Sequence, residues 1–322
     1  MTIGKRAAAA VCALLMLWAG PLPAQTYPSK PIKMVVPYAA GGGLDMMCRV
    51  VAERLASSMQ QSVIVENRPG ASGTIGTAFV ARSSPDGYTF GCGTNSEMTL
   101  AEFVLPGLPY DPSRDLAPLT MGVKQAVVLV AHPSLPASTL AELVDLARRQ
   151  PVFYGHLGAG HSFYLAMAML AAQEHVTLHG IPYKGAANSV SDVLAGHIQL
   201  AIVNLAPVVQ YTRDGKLKAL AVFGTDRNPA LPDVPSVEEA LGIDAQAPSW
   251  FGFFAPSGVP PDVQRRLVQE LRLALADPGA RAKLHAAHME VMDMTSEEFR
   301  DVVARERSMN AGLVRRFAVK SE

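Results

Sequence analysis

The stretch that decides the fold is Ile32-Lys33-Met34-Val35-Val36-Pro37-Tyr38-Ala39-Ala40-Gly41-Gly42-Gly43-Leu44-Asp45. Its first part, Ile32–Val36, is rich in β-branched and apolar side chains and predicts a strand. From Leu44 to Ser57 apolar residues recur at intervals of three and four, which predicts an amphipathic helix. A glycine turn therefore joins a strand directly to a helix. The backbone N–H groups of such a turn lie at the positive end of the helix and form a ready site for an anion.

The same alternation continues through the rest of the chain. Further strands are predicted at 63–65, 88–91, 127–131, 153–155, 198–203 and 217–223, and further helices at 74–81, 162–173, 188–194, 263–276 and 296–316. Strands that alternate with helices are typical of an α/β fold with a parallel sheet. A second glycine loop, Gly155-His156-Leu157-Gly158-Ala159-Gly160-His161-Ser162, again stands between a strand and a helix. Two such loops fit an anion gripped across a cleft, although each alone also fits a tight turn without a ligand.

Length and charge restrict the class of protein. The chain has 322 residues, enough for about two domains, and 49% are hydrophobic against 17% charged, which supports a packed core. Its 28 basic residues balance 28 acidic residues, so the formal net charge is zero. Because no basic surface field exists to hold phosphates, nucleic acid is not an expected partner.

The first 24 residues have the pattern of a secretory signal peptide. Lys5 and Arg6 precede an apolar run from Ala7 to Trp18, and the predicted cleavage site follows Ala24. The apolar run is too short to serve as a membrane-spanning anchor. We therefore predict that the mature protein is exported to the periplasm.

Export leaves two cysteines, Cys48 and Cys92, in an oxidising compartment. One disulfide between them is arithmetically possible. Because Cys48 lies in a helical segment and Cys92 in a strand, we predict two small buried thiols instead. The chain has no Cys-x-x-Cys pair that would indicate a metal site.

Motifs give little support to an enzyme. The chain has no Walker A string, and Gly158-x-Gly160 lacks the third glycine of a dinucleotide-binding fingerprint. Ser162 lacks the closing glycine of a nucleophile elbow. His175 and His179 have metal-ligand spacing, but no acidic third ligand is near them, so structural histidines are favoured over zinc. We predict no cofactor, no metal ion and no catalytic residue.

Eight short strings indicate a known family. They are YPSKPI (27–32), VPYAAGGGLD (36–45), VENRPGASG (65–73), SPDGYT (84–89), LPYDP (108–112), IPYKG (181–185), ALPDVP (230–235) and WFG (250–252). In these strings, and in their order across nearly the whole mature chain, the protein resembles the extracytoplasmic solute receptors of the tripartite tricarboxylate transporter family, of the Bordetella uptake gene type.

The resemblance implies a type II periplasmic-binding-protein fold, in which two crossing strands join two α/β lobes and the ligand lies in the cleft between them. We expect lobe one to combine residues 26–123 with 249–322, and lobe two to span 124–248. The resemblance also implies that backbone N–H groups bind a small carboxylate. A monomeric receptor would then deliver this ligand to the membrane subunits of a tripartite tricarboxylate transporter.

The ligand-binding residues that the resemblance implies belong to the glycine loops and their neighbours. They are Tyr38, Ala40, Gly41, Gly42, Asp45, Gly73, Thr94, Asn95, Ser96, Gly158, Ala159, Gly160, His161, Ser162, Lys184, Gly185 and Asn204. Ala40 replaces a usual proline. Val203 replaces an aspartate that would pair with a ligand amine, so an amino-acid ligand is less expected. His161 and Tyr164 also depart from the family pattern and predict a more aromatic pocket.

Two other functions stay open. The protein could report ligand occupancy to a membrane histidine kinase instead of a transporter. It could also be a periplasmic hydrolase that uses Ser162 with His161. Neighbouring side chains on one turn point apart and do not readily share a proton, which disfavours the hydrolase.

Overall fold

The computed structural model describes residues 27–319; the predicted signal peptide lies outside the described residues. The strands are β1 (Ile32–Val36), β2 (Val63–Asn67), β3 (Thr89–Thr94), β4 (Leu116–Lys124), β5 (Val127–Ala131), β6 (Phe153–His156), β7 (His179–Pro182), β8 (Leu200–Asn204), β9 (Lys218–Val222), β10 (Trp250–Pro256) and β11 (Glu290–Val291). The helices are α1 (Gly43–Met59), α2 (Thr74–Ala81), α3 (Asn95–Thr99), α4 (Ala101–Val104), α5 (Leu140–Ala147), α6 (Ser162–Glu174), α7 (Ala186–Leu194), α8 (Val209–Arg213), α9 (Val237–Leu241), α10 (Pro261–Ala276), α11 (Pro278–Ala286) and α12 (Ser296–Arg316).

Two mixed sheets form the frames of two α/β lobes. The first sheet has the strand order β11-β4-β10-β3-β1-β2, and the second has the order β7-β6-β8-β5-β9. The parallel pairing predicted for the first unit is present between β1, β2 and β3, whereas β10 runs antiparallel to β3 and β4. In the second sheet β6 is parallel to β7 and β8, and β5 is antiparallel to β8 and β9. Two antiparallel strands, β5 and β10, directly follow the connections between the sheets, and the short β11 pairs antiparallel with β4 at the edge of the first sheet.

The connections between the sheets lie side by side. β4 leads into β5 through Gln125 and Ala126, and the return to the first sheet reaches β10 through Pro248 and Ser249. The backbone N–H of Gln125 donates a hydrogen bond to the carbonyl of Ser249 over 3.1 Å. We call these two segments, residues 125–126 and 248–249, the hinge.

Helix α1 packs on the first sheet through an apolar face. Leu44, Met47, Val51 and Leu55 recur at helical spacing, and each is at most 4% exposed. Full burial of an aliphatic side chain of this size stabilises a protein by about 1.5–3 kcal/mol. This packing holds the first turn of α1 at the carboxyl end of β1, where the first glycine loop lies.

Strand β4 is not predicted by the sequence, because Pro118 and Gly122 interrupt its apolar pattern. In the structure both residues lie at irregularities of the pairing with β10. The register skips Leu119, next to Pro118, and it also skips Gly122. Bulges at these positions let a strand tolerate residues that would break a regular ladder.

The prediction of two free thiols is wrong. Cys48 in α1 and Cys92 in β3 form a disulfide, with their Cα atoms 6.5 Å apart. Both residues are fully buried. The sequence placed one cysteine on a helix and the other on a strand, and it did not show that this helix packs directly over this strand.

We expect the disulfide to stabilise the protein, because it closes a loop between residues 44 positions apart. Loop-closure entropy for that length corresponds to at most about 4 kcal/mol of unfolding free energy. Urea denaturation with and without dithiothreitol should show a lower midpoint in the reduced protein. The Cys48→Ala/Cys92→Ala double variant should not respond to the reductant. Equal midpoints for the oxidised and reduced native chain would contradict this expectation.

Candidate functional site

The two glycine loops lie between the lobes. Each loop forms hydrogen bonds with residues of the opposite lobe. The first loop, residues 37–42, connects β1 to α1, and the second loop, residues 157–161, connects β6 to α6. The N–H of Gly160 donates to Ser72 Oγ over 3.2 Å, and the N–H of Ser162 donates to Ser96 Oγ over 2.9 Å. These hydrogen bonds join lobe two to lobe one, so the structure shows the cleft with its walls in contact.

A cavity of about 280 Å³ lies between the lobes beside these contacts. Tyr38 and residues 70–73 form its wall on lobe one, and Leu157, Gly158 and residues 182–184 form its wall on lobe two. Pockets for small molecules begin at a volume of about 300 Å³. The cavity therefore has the size of a small organic molecule.

The first loop leaves backbone donors free at the start of α1. Gly41 has φ +89°, a left-handed conformation that favours glycine. Gly42 is the N-cap residue and has no side chain to accept a hydrogen bond. Among residues 27–319 the amides of Gly42, Gly43 and Leu44 have no acceptor. A Cβ atom added at Gly42 would meet no other atom within 4 Å, so the space in front of this residue is open.

Asp45 supports the first loop from behind. Its carboxylate accepts hydrogen bonds from the Gly41 N–H (3.0 Å), from Arg49 Nε (3.0 Å) and from Asn67 Nδ2 (2.9 Å). Burial opposes ionisation, but these donors outweigh it and hold the pKa of Asp45 below its usual value. Through these bonds Asp45 orders the first loop from within lobe one.

In the second loop most backbone donors have partners. The N–H of Gly158 donates to His156 Nδ1 over 3.0 Å, and the N–H of His161 donates to the carbonyl of Gly158. The amides of Gly160 and Ser162 bind the serines of lobe one, as described above. Of the three amides predicted to hold a carboxylate here, at Gly158, Ala159 and Gly160, only that of Ala159 has no acceptor among the described residues.

Two buried histidines adjoin the second loop, and both are neutral. Burial lowers the pKa of His156 to about 4 and, helped by the neighbouring His156, that of His161 to about 3. His161 caps α6, because its Nδ1 accepts a hydrogen bond from the Phe163 N–H over 3.2 Å. The proton must then be on Nε2 of His161, an atom that is buried without a hydrogen-bond partner in the described structure.

The segment after β3 connects the cleft to the hinge. Thr94 and Glu97 form a capping box at the start of α3, and burial raises the pKa of Glu97. Ser96 is turned toward the second loop. Asn95 Nδ2 donates to the carbonyl of Pro248 over 2.8 Å. Thr94 thus caps α3, Ser96 contacts lobe two and Asn95 contacts the hinge.

Tyr38 and Gly73 shape the wall of the cavity. The hydroxyl of Tyr38 donates to the carbonyl of Ser72 over 3.3 Å, and burial raises the pKa of Tyr38. Gly73 has φ +84°, and a side chain there would collide with Tyr38 and Glu97. Both residues thus position the turn that presents Ser72 to the second loop.

The remaining predicted residues lie at the margins of the cleft. The Lys184 side chain is exposed, and only its carbonyl reaches the first loop, where it accepts a hydrogen bond from Ala39 N–H over 3.0 Å. Gly185 packs against Ala39. Asn204 Nδ2 donates to Ser249 Oγ over 2.9 Å, which places Asn204 at the hinge. Ala40 is exposed at the edge of the first loop.

Sequence reasoning missed three residues of the site. Ser72 belongs to a string that marked the family, but only its neighbour Gly73 was selected. Gln125 and Ser249 lie in the hinge, in segments without a motif. In the sequence these two residues are recognisable only as polar residues next to apolar strands. Polar residues in that position are common in ordinary loops.

The geometry gives no support to the alternative hydrolase. Ser162 Oγ lies 3.4 Å from Ser96 Oγ, and neither ring nitrogen of His161 binds it. Within residues 27–319, no cluster of three or more histidine, cysteine, aspartate or glutamate side chains is placed to hold a metal ion. In the same part of the chain, no helix is both long enough and apolar enough to cross a membrane.

Two α/β lobes, a two-segment hinge and a cleft walled by glycine loops define a periplasmic binding protein of type II. The sequence matches the model of the tripartite tricarboxylate transporter family receptors over residues 47–318, and the chain belongs to that family. The resemblance and the fold predicted from the sequence are thereby confirmed.

Individual proteins agree with this assignment. The chain is 33% identical to the protein BugT of Bordetella pertussis over 305 residues, which are 94% of each chain. Its structure is similar to that of the periplasmic binding protein BugD, with a TM-score of 0.87 and 31% identity over 92% of this chain and 100% of the other. It is also similar to the R. palustris protein Rpa4515 with adipate, with a TM-score of 0.84 and 29% identity over 91% and 99% of the two chains.

The two neutral histidines predict how stability depends on pH. An unfolded histidine has a pKa of about 6.5, so the unfolded chain takes up protons first as the pH falls. Between about pH 7 and pH 5, each buried histidine should therefore lower the free energy of unfolding by roughly 2 kcal/mol. The fall should begin near pH 6.5 and continue toward the folded pKa values of about 4 and 3.

The His161→Asn variant isolates one histidine, because asparagine is also a good N-cap and keeps an acceptor for the Phe163 N–H. Urea denaturation at the two pH values should show that this variant loses about 2 kcal/mol less than the native chain. Titrating groups far from His161 contribute equally to both proteins. An identical pH dependence in the two proteins would show that His161 is not held neutral by the fold.

Proposed function

We propose that the protein captures a small organic carboxylate in the cleft between its lobes and delivers it to the membrane subunits of a tripartite tricarboxylate-type transporter. In this proposal it acts in the periplasm, as a monomer, after removal of residues 1–24. Lobe one combines residues 26–123 with 249–322, and lobe two spans 124–248. The adipate of the similar R. palustris structure supports a carboxylate as the class of ligand.

The observation that carries this proposal is the set of free donors at the start of α1. Gly42, Gly43 and Leu44 have backbone N–H groups without acceptors, and the space in front of Gly42 is open. The helix behind them has 17 residues, and its dipole places about half a positive charge at this end. A carboxylate accepts hydrogen bonds from several donors at once and is favoured by that charge.

Magnitudes show why both lobes are needed. Each hydrogen bond to a charged acceptor contributes roughly 1.5–3 kcal/mol. Micromolar affinity corresponds to a binding free energy of about 8 kcal/mol. Three such bonds reach a similar value only if the entropy lost on association is ignored. The contacts that form when lobe two closes supply the difference.

The Gly42→Val substitution tests the site directly. The valine side chain finds room without displacing protein atoms, but it occupies the open space in front of the free amides. We expect calorimetry with a panel of small mono-, di- and tricarboxylates to show affinity reduced at least about tenfold. Melting temperature should change little.

Two variants serve as controls. Gly312→Val makes the same change at a glycine of α12 that also has open space around it, and affinity should stay within about twofold of the native value. Lys184→Met removes an exposed cation beside the cleft and should have a similarly small effect. A Lys184→Met variant without affinity, beside a Gly42→Val variant that binds normally, would contradict binding by backbone amides.

Closure of the cleft is a further expected outcome. A ligand that contacts both lobes binds the closed state better and shifts the population toward it. Small-angle scattering should therefore give a smaller radius of gyration when a bound carboxylate of the panel is present at saturation. An unchanged radius of gyration would argue against a cleft that closes on its ligand.

A further inference from the structure

Gln125 occupies a central position between the lobes. It is the first residue of the hinge, and its backbone N–H binds the carbonyl of Ser249 in the opposite hinge segment. The next residue, Ala126, accepts a hydrogen bond from the N–H of Leu205 at the end of β8 over 3.0 Å. The carboxyl ends of strands from both sheets therefore meet at Gln125.

The side chain of Gln125 is buried but lacks partners. It is 9% exposed, and neither Oε1 nor Nε2 has a hydrogen-bond partner in the structure. An unpaired amide removed from water destabilises the folded protein, so packing alone favours an apolar residue at this position. A polar side chain that is buried and unpaired in the free protein indicates a group that is paired in another state.

Gln125 lies beside the free donors of α1. A Cβ atom at Gly43 would be 3.5 Å from Gln125 Oε1, and Phe251 and Met289 fill the other sides of the same space. Oε1 of Gln125 therefore lies, together with two apolar side chains, at the first turn of the helix.

We propose that Gln125 is a specificity-determining residue of the ligand site, whose amide binds a hydroxyl group of a hydroxycarboxylate. This inference rests on the proposed function, since it needs the carboxylate of the same ligand at the start of α1. A carboxylate only accepts hydrogen bonds and would leave Oε1 of Gln125 unpaired. A hydroxyl both donates and accepts, so one hydroxyl satisfies Oε1 or Nε2 in either role, and a hydroxyl with its neighbouring oxygen satisfies both.

The test uses pairs of acids that differ by one hydroxyl group: malate with succinate, lactate with propionate, and citrate with tricarballylate. Calorimetry on the full mature protein gives both affinities for each pair. For the pair that binds most tightly, we expect the hydroxy acid to bind at least about tenfold more tightly than its partner, because a site built to pair a hydroxyl rejects the analogue that lacks it.

The Gln125→Met variant keeps the shape of the side chain and removes both amide atoms. In this variant the two acids of a pair should bind with affinities within about threefold of each other. The affinity for the acid without the hydroxyl should stay within about threefold of the native value. The melting temperature of the ligand-free protein should rise. Gln210→Met, the same change at an exposed residue of α8, should alter none of these quantities. If Gln125→Met does not fold, Gln125→Glu should weaken both acids at least tenfold, since its charge would lie beside the bound carboxylate.

The outcomes separate the two proposals. If no acid of the panel binds the native protein, the proposed function fails, and this inference fails with it. If acids bind without a preference for the hydroxyl, or if the preference persists in Gln125→Met, the role of Gln125 is overturned and carboxylate binding stands. Gln125→Met could also melt at a lower temperature and lose affinity equally for both acids. That result would assign Gln125 a structural role and overturn the inference as well.

Discussion

Three N–H groups at the start of α1 have no acceptor among the described residues, and several features of lobe one keep them in that state. Helices commonly satisfy such groups with a capping side chain, as Thr94 does for α3. Helix α1 has Gly42 at that position and therefore has no such cap. Asp45, which is near enough to act as an acceptor, is held by Gly41, Arg49 and Asn67. The disulfide at Cys48 then ties the second turn of the helix to β3, so the free donors stand on a rigid support.

The second glycine loop solves the same local problem in the opposite way. His156 and His161 accept hydrogen bonds from its own backbone, and Ser72 and Ser96 of lobe one accept two more. Only the latter two bonds depend on closure. Each contributes about 0.5–1.5 kcal/mol net, so they help to close the cleft without fixing it shut. The bond from the Ala39 N–H to the Lys184 carbonyl adds a third hydrogen bond between the lobes.

The sequence predicted the parts of the fold that follow from local patterns. The run from Ile32 to Asp45 has a strand, a glycine turn and a helix in order, and each is determined by neighbouring residues. The disulfide could not be predicted in this way, because it depends on how α1 lies over β3. Strand β4 was missed because Pro118 and Gly122 are breakers in a regular strand, and only pairing with β10 shows that bulges accommodate them.

The site shows the same limit. Gly42 was found because a glycine before a helix has a local physical meaning. Gln125 was not, because its burial and its position near Gly43 depend on residues that are distant in sequence. Side chains that receive their role from tertiary packing carry no short-range signal, and Ser72 and Ser249 belong to the same group.

The electrostatics of the cleft divide recognition between backbone and side chains. The Lys184 side chain is exposed, Arg49 is engaged by Asp45, and both histidines are neutral. In the proposed function an anion in this cleft is held by helix and amide dipoles, which every carboxylate engages equally. Such dipoles do not titrate and do not distinguish one acid from another. On that proposal selectivity has to come from neutral polar side chains around the remainder of the ligand, and the unpaired amide of Gln125 in the hinge is such a group.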